Sequence, residues 1–101
     1  MAQFDVHRNP RGGEFPLLLD IQADIVASLA TRIVVPLTRR KRTTRPIARI
    51  NPLAMIEGVE FVLLFQELAA IPTSSLGPRI SSLATQRAEL VAAIDWLLTG
   101  V

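Results

Sequence analysis

Few side chains in this 101-residue sequence could perform acid–base or nucleophilic chemistry. The chain has no cysteine, and its single histidine is His7. A catalytic nucleophile needs an adjacent base that is itself oriented by a third group, and the sequence defines no such partners for His7. A lone histidine in an edge strand is typical of a surface or structural residue. We therefore predict no catalytic residue, and a protein that is not an enzyme.

Metal and phosphate sites have little support in the sequence either. Asp20 and Asp24 flank Gln22, but no HExxH pattern and no acidic metal-binding spacing accompanies them. Gly12 and Gly13 predict a turn rather than a phosphate cradle, because neither a GxGxxG pattern nor a P-loop lysine follows. We predict no metal ion and no cofactor.

The most informative polar feature is a block of basic residues in the first half of the chain. The window between Ile25 and Ile56 contains no acidic residue. It holds Arg32, Arg39, Arg40, Lys41, Arg42, Arg45 and Arg49. Such a block carries a positive potential and attracts an anionic partner. Because the C-terminal half is near neutral and apolar, the sequence predicts two different surfaces.

Three interpretations of the run from Arg39 to Arg45 remain open. Charge runs are commonly solvated loops. Nucleic-acid binding would be steeply salt-dependent, since neutralised phosphates release counterions, but the run has no aromatic residue on which a base could stack. An acidic, disordered protein partner fits the charge equally well.

Trp96 is the only tryptophan and lies in the last apolar segment. On a helix it would lie about 120° from Leu90, off the main apolar stripe and one turn before Thr99. One interpretation is that the indole packs in a dimer interface or against a sheet edge. The other is that it is an aromatic anchor for a partner near the chain end.

The elements that position these residues are expected to form one domain, residues 1–101. Hydrophobic residues make up 50% of the chain, which indicates that some apolar surface is buried against a second copy. The first residues lack the pattern of a signal peptide, and no apolar stretch reaches the roughly 18 residues of a membrane span. We expect a cytoplasmic protein without membrane contact.

Apolar and alternating runs predict a mostly antiparallel β domain. The predicted strands are residues 3–7, 15–21, 33–37, 59–65 (the longest) and 68–71, with a small hairpin of 47–50 and 53–56. Residues 38–45 are predicted to be a loop, and Glu57 and Gly58 a turn. Proline cannot donate a ladder hydrogen bond, so Pro36 predicts a sheet edge or a bulge.

The final segment predicts a helix. From about Ser82 to Leu98 there is no glycine or proline, and five apolar residues recur at helical spacing: Leu83, Leu90, Ile94, Leu97 and Val101. Gly100 fits a residue that ends the helix and leaves Val101 projecting. The predicted fold class is mostly β with one C-terminal α-helix.

Five segments, in order along the chain, together resemble the CcdB family. The family's opening strand is similar to QFDV at residues 3–6, and its V-D-V-Q-S-D-I segment to LDIQADI at 19–25. Its R-[ML]-V-I-P-L strand is similar to TRIVVPL at 31–37, and its M-[AT]-S-V-P stretch to LAAIP at 68–72. Its terminal helix, which closes on Gly-Ile, resembles AAIDWLLTGV at 92–101.

This resemblance implies a fold like that of the CcdB, MazF and Kid toxins. That fold is a twisted antiparallel sheet (an SH3-like barrel) with a small additional sheet and a C-terminal helix, paired as a homodimer. The resemblance also implies a toxin of a type II toxin–antitoxin system that binds GyrA, the DNA gyrase component that cleaves DNA. Such a toxin traps gyrase on cleaved DNA and blocks replication. A CcdA-like antitoxin neutralises it, and together they repress transcription in systems that maintain plasmids; DNA is contacted only through gyrase or the antitoxin complex.

Carried over residue by residue, the resemblance implies two binding surfaces. The gyrase-binding residues are Ile25, Val26, Asp95, Leu98, Thr99, Gly100 and Val101. The antitoxin-binding residues are Arg8, Arg11, Arg39, Arg40, Lys41, Arg42 and Arg45. The best-known family pattern has tryptophan where this chain has Thr99, which cannot stack on an arginine as an indole can. Our hypothesis is that Trp96, one turn earlier, partly replaces that aromatic.

Two other functions remain as alternatives. A MazF/Kid-like endoribonuclease would share the implied fold and use the arginines on RNA, although the sequence contains no constellation for strand cleavage. A basic nucleic-acid-binding module is indicated only by the basic run.

Overall fold

The computed structural model describes residues 2–26, 28–42 and 45–100. Within these ranges the chain forms strands β1 (Asp5–Arg8), β2 (Leu17–Asp20), β3 (Thr31–Arg39), β4 (Leu53–Ile56), β5 (Val59–Leu63), β6 (Ala69–Pro72) and β7 (Arg79–Ser82), and helix α1 (Arg87–Thr99). Single 3-10 turns lie at Asp24–Val26, Arg40–Arg42, Phe65–Glu67, Thr73–Ser75 and Ala84–Gln86.

The strands form one curled antiparallel sheet. Its order is β4-β5-β3-β2-β1-β7, and β6 pairs with β3 beside β5. Alternate side chains point into the concave face, where α1 covers the hydrophobic core. The half-barrel with one C-terminal helix confirms the predicted fold class.

Strand β3 is the centre of the sheet. One side pairs with β2 along Val34–Leu37, and the other pairs first with β6 and then with β5. Pro36 was predicted at a sheet edge or bulge, but it lies inside this strand. Pro36 lies between the part of β3 that pairs with β6 and the part that pairs with β5. On that side its carbonyl accepts the N–H of Leu64, and no ladder hydrogen bond requires an N–H from residue 36.

The predicted hairpin of residues 47–50 and 53–56 is wrong. Residues 48–50 form a turn, and β4 pairs instead with β5 through the predicted turn at Glu57 and Gly58. The reason is Asn51, whose buried side chain accepts the N–H of Ile47 at 2.7 Å and donates to the carbonyl of Leu63 at 3.2 Å. These bonds fold residues 47–51 back on themselves, which removes them from strand pairing.

Most of the observed strands begin or end one or two residues away from the predicted bounds, and two differences matter for the sheet. The predicted strand 59–65 ends at Leu63, where the Phe65–Glu67 turn reverses the chain into β6. Strand β7 was not predicted, because its polar residues lack a strand pattern and its pairing with β1 is long-range. As a consequence β1 is an interior strand, so placing His7 in an edge strand was wrong.

The predicted loop 38–45 is also shorter than expected. Thr38 and Arg39 belong to β3, and Arg40–Arg42 forms a 3-10 turn. The rest of the predicted loop includes residues 43 and 44, which lie outside the described ranges. The strand therefore includes the first arginine of the basic run.

The C-terminal helix begins later than the sequence predicted. The N–H of Leu83 donates to the carbonyl of Phe4 at 2.8 Å, which keeps the chain in the sheet, and α1 begins at Arg87. Leu90 and Ala93 are fully buried, while Ile94 and Leu97 pack partly against the core. The predicted apolar stripe is thus the core face of the helix. Among the described residues, no helix has the length and apolar character needed to cross a membrane.

Candidate functional site

The end of α1 is formed by a glycine in the left-handed conformation. Gly100 has a φ of 77° and donates its N–H to the carbonyls of Asp95 (3.2 Å) and Trp96 (3.1 Å). Residues with a side chain rarely adopt this conformation, so the role predicted for Gly100 in ending the helix is confirmed. Val101, predicted to bind gyrase, lies outside the described residues.

The side chains of the last helical turn differ in what they offer a partner. Leu98 is 69% exposed. Thr99 is also exposed, but its hydroxyl donates a 2.7 Å hydrogen bond to the carbonyl of Asp95. That donor is therefore used within the helix. The apolar contribution of this turn comes from Leu98.

A second apolar protrusion is the Asp24–Val26 turn, which follows β2. Ile25 is 92% exposed, and Val26 is 36% exposed. The N–H of Val26 donates to the carbonyl of Ala23 at 3.1 Å, and the carboxylate of Asp24 accepts the N–H of Gln3 at 2.7 Å. A large apolar side chain this exposed contributes little to the fold of one chain, so the turn is suited to recognition.

A buried ion pair lies beneath this turn. Arg32 donates from Nε (2.9 Å) and Nη2 (2.6 Å) to Oδ2 of Asp20, and both side chains are fully buried. Arg32 was expected in the surface basic block, and this is wrong. Asp20 lies opposite Val34, and Arg32 is two residues before Val34 on the same face of the sheet. The position of Arg32 next to the apolar run 33–37 was a signal that this arginine could be buried, although the sequence does not identify its partner.

Gln22 links this ion pair to the turn, a role that was not predicted from the sequence. Its side chain is almost fully buried. Oε1 accepts the N–H of Ile33 at 3.1 Å, and Nε2 donates to the carbonyl of Val26 at 3.1 Å. The side-chain amide therefore bridges β3 and the turn that carries Ile25.

The turn and the helix end rest on shared support. Ile21, just before the turn, packs against the same core as Leu97 on the last turns of α1. Gln3 links the residue before the turn to the beginning of α1, not to its end: its Nε2 donates to the carbonyl of Ile21 at 3.1 Å, and its Oε1 accepts from Arg87 at 2.8 Å. Within the described residues no hydrogen bond joins the turn directly to the last turn of the helix. Their relative position is set by the core.

Trp96 contacts a basic residue of its own chain. The guanidinium carbon of Arg49 lies 4.2 Å from the centroid of the indole ring, within the range of a cation–π interaction. Arg49 has a φ of 76°, an uncommon conformation for a residue with a side chain. The two residues line a hollow of about 470 Å³ with Asn51, Pro52, Leu53, Glu89 and Ala92.

Trp96 and Leu98 point in different directions. Residues two apart on a helix are about 200° apart around its axis, so the indole faces the β4 side of the molecule while Leu98 faces away from it. Trp96 is 36% exposed, and Arg49 lies over its ring. This position favours the first interpretation of Trp96, in which the indole packs against a sheet edge.

The basic cluster (Arg39, Arg40 and Lys41) lies where β3 ends. These residues line a hollow of about 510 Å³ together with Gly58, Val59 and Glu60. A neighbouring hollow of about 150 Å³ shares Arg39 and Val59 and adds Arg8. Arg8 lies 3.6 Å from Glu57, with both side chains more than half exposed, so this pair contributes little to stability. The half-exposed Val59 thus lies among cationic side chains and the two carboxylates of Glu57 and Glu60.

The remaining predicted antitoxin-binding residues are more scattered. Arg11 lines a separate hollow of about 390 Å³ with Leu18, Ile71 and Pro72. Arg42 and Arg45 are exposed on the two sides of residues 43 and 44. The structure therefore brings together four of the seven predicted residues: Arg8, Arg39, Arg40 and Lys41.

The two candidate surfaces lie at opposite ends of one strand. The Asp24–Val26 turn precedes β3, and the basic cluster begins at its last residue. The nine residues of β3 span about 26 Å at about 3.3 Å per residue. A partner bound at one end therefore need not touch the other.

Two buried titratable residues of β1, Asp5 and His7, have structural contacts. His7 is buried, with Nδ1 3.0 Å from the carbonyl O of Gly77. Asp5 accepts the N–H of Ala2 and pairs with Arg79 at 3.0 Å. Burial alone would raise the pKa of Asp5, but these two hydrogen bonds and the charge of Arg79 lower the pKa below its ordinary value. In the described part of the chain, no three His, Cys, Asp or Glu side chains could hold a metal ion together.

The chain matches the model of a known protein family over nearly all of its residues. The family model described as "CcdB protein" matches residues 3–100. The match includes both candidate surfaces and every strand of the sheet.

Proposed function

Because the chain belongs to the CcdB family, the toxins of CcdA/CcdB toxin–antitoxin systems, we propose that it binds GyrA and traps gyrase on cleaved DNA. The Asp24–Val26 turn and the end of α1 form the gyrase-binding surface. The toxin makes and breaks no covalent bond in this mechanism. It binds one state of gyrase better than the others, which increases the population of that state.

The observation that carries this proposal is the display of two apolar side chains on rigid supports. Ile25 is 92% exposed and Leu98 is 69% exposed. The turn is held by Gln22 and Asp24, and the helix end is closed by Gly100. Preorganised apolar anchors lose little conformational entropy on binding, so they favour a tight contact with a protein partner.

The chain end determines how strong that contact is. Thr99 offers no aromatic ring, and its hydroxyl is already bonded to the carbonyl of Asp95. A stacked indole over a desolvated cation would contribute up to about 2 kcal/mol, which this chain forgoes at that position. Leu98 and Ile25 therefore supply most of the apolar contact with GyrA.

A homodimer is the assembly that fits the remaining apolar surface. Leu29 is 53% exposed and Ile33 is 40% exposed, and β6 beside them is mostly exposed. Apolar side chains along a strand next to a recognition surface are suited to a second copy related by a two-fold axis. Such a dimer presents two turns and two chain ends to a gyrase gate that is itself two-fold.

The antitoxin occupies the other end of β3 in this proposal. Arg8, Arg39 and Lys41 line the two hollows beside Val59, which is 41% exposed. An acidic, disordered segment with an apolar residue could place that residue on Val59 and its carboxylates on the arginines. Arg11, Arg42 and Arg45 would contact the flanking parts of such a segment.

The test is a DNA cleavage assay with purified gyrase and supercoiled plasmid, with a labelled RNA in parallel. The expected result is gyrase-dependent linear DNA that is lost in Ile25→Ser and Leu98→Ser. Met55→Ser is the matched control, because Met55 is 62% exposed on β4, away from the proposed surface. It should poison gyrase as the unmodified protein does.

Three outcomes contradict the proposal. Linear DNA that persists in both variants would show that these side chains are not the contact. Gyrase-independent RNA fragments would support the endoribonuclease, and salt-sensitive binding to nucleic acid without cleavage would support the basic binding module.

A further inference from the structure

We infer that Gln22 is a positioning residue, which holds the Asp24–Val26 turn so that Ile25 meets its partner in one orientation. This inference rests on the proposed function, since the partner is GyrA. Gln22 is only 9% exposed, whereas Ile25 is 92% exposed. The glutamine therefore acts through the turn and not by touching gyrase.

Every polar group of Gln22 is engaged. Its backbone N–H donates to Oδ1 of Asp20 at 3.0 Å, and its carbonyl accepts Nη2 of Arg32 at 3.5 Å. Since Asp20 and Arg32 are fully buried and paired, the backbone of Gln22 is fixed to the interior of the sheet. The turn thus begins from a rigid anchor.

The side-chain amide then fixes the far end of the turn. Oε1 accepts the N–H of Ile33 in β3, and Nε2 donates to the carbonyl of Val26. An amide is the neutral side-chain group that supplies one acceptor and one donor from adjacent atoms. A carboxylate could keep the bond to Ile33 but not the bond to Val26, and a thioether would lose both.

The experiment is a double-mutant cycle on binding to a purified GyrA fragment. Gln22→Glu should weaken binding about tenfold in the unmodified chain, the loss expected for one hydrogen bond that orders a contact. In an Ile25→Ala background the same change should have an effect of less than about twofold, since the anchor that it positions is gone. Gln22→Met, which loses both side-chain bonds but buries no charge, should weaken binding at least about tenfold, and its effect should also disappear in the Ile25→Ala background.

The control separates positioning from general loss of stability. Ile56→Ala removes a buried side chain from β4, at the sheet edge remote from the turn. It should lower the free energy of unfolding without weakening GyrA binding under conditions in which the protein remains folded. An equal effect of Gln22→Glu in both backgrounds would overturn the inference.

Amide hydrogen exchange of the free protein tests the clamp independently of gyrase. The N–H groups of Val26 and Leu29 are hydrogen-bonded within the turn region, and they should exchange at least about tenfold faster in Gln22→Met. Unchanged exchange at both amides would overturn the inference. Faster exchange in a protein that fails to bind GyrA would remove the proposed function and leave the clamp standing.

Discussion

Arg49 and Trp96 are joined by a cation–π contact in which the guanidinium lies 4.2 Å from the centre of the indole ring. The contact connects the turn before β4 to the outer face of α1. It is made by an arginine with a left-handed backbone, held by the hydrogen bonds of Asn51 around the same turn. Because Arg49 already lies over the indole, a partner that used Trp96 would share the ring with this arginine or displace it.

Removing the guanidinium tests that contact. Arg49→Ala should lower the free energy of unfolding by about 0.5–1 kcal/mol and shift the fluorescence of Trp96, the only tryptophan. Arg49→Gly also loses the contact but tolerates the positive φ, so it should be about 1 kcal/mol more stable than Arg49→Ala. Urea titration followed by tryptophan fluorescence measures both. Equal stability of all three proteins would show that neither strain nor stacking matters.

The role of the indole in gyrase binding can be tested separately. If packing is the role of Trp96, Trp96→Ala lowers the free energy of unfolding but leaves GyrA affinity unchanged within about twofold. Titration of the variant with a GyrA fragment decides the question. A large loss of affinity at unchanged stability would instead support the hypothesis that Trp96 replaces the aromatic missing at Thr99.

The buried ion pair predicts a marked asymmetry between single and double changes. Asp20→Leu or Arg32→Met alone leaves an uncompensated buried charge and should cost about 3–5 kcal/mol. The double variant should recover most of that loss, because no charge remains buried. Thermal or urea unfolding measures the cycle. Additive losses in the double variant would contradict this account.

A side chain at Gly77 should clash with its neighbours without straining the backbone, because Gly77 does not have a positive φ. A Cβ built on this residue would lie 2.5 Å from the carbonyl oxygen of Arg8, whereas one on Gly13 would meet nothing within 4 Å. Gly77→Ala should therefore destabilise by about 1–3 kcal/mol and weaken the pairing of β1 with β7. Gly13→Ala is the control, with a cost of about 1 kcal/mol from its positive φ. The unfolding midpoints of the two variants check the order.

The lowered pKa of Asp5 gives stability a definite pH dependence. A carboxyl with a folded-state pKa below its ordinary value of 3.8 stabilises the protein above that pH, and the contribution is lost as the pH falls through the folded-state pKa. Asp5→Asn should flatten the loss of stability below about pH 4, whatever its effect at neutral pH. The test is to measure the free energy of unfolding of both proteins from about pH 6 to about pH 2, at intervals of about half a pH unit. Parallel curves for the two proteins would contradict it.

The basic cluster predicts that antitoxin binding can be separated from gyrase poisoning. Arg39→Gln with Lys41→Gln should weaken binding of an acidic antitoxin peptide about tenfold at low salt, and should reduce its salt dependence. Arg49→Gln with Arg79→Gln removes the same net charge elsewhere and should weaken it less. Calorimetry with the peptide and the plasmid assay with gyrase give the two readouts. Equal loss of both activities would argue against two separate surfaces.

Local patterns in the sequence were sufficient for the elements whose signal lies within one segment. The apolar spacing of Leu90, Ile94 and Leu97 predicted the core face of α1, and Gly100 predicted its end. Features that depend on distant residues were not predictable in this way. Nothing near Arg32 in the sequence identifies Asp20 as its partner, because the pairing of β2 with β3 brings them together.

The candidate site shows the same division. Ile25, Leu98 and Thr99 were named through the family resemblance, and the structure adds their exposure and contacts. The bonds of Gln22 to Ile33 and Val26 exist only once the turn has folded back onto β3. A glutamine between two aspartates carries no sign of that role in the sequence.

The pairing of β1 with β7 has a consequence for the order in which the toxin matures on the ribosome. Asp5 pairs with Ser82, so one side of β1 remains unpaired until the ribosome has synthesised residues 79–82. Helix α1 follows β7, so it is synthesised after every strand of the sheet. A nascent chain therefore completes its sheet and helix α1 at nearly the same time, and a translation product truncated before β7 leaves one side of β1 unpaired.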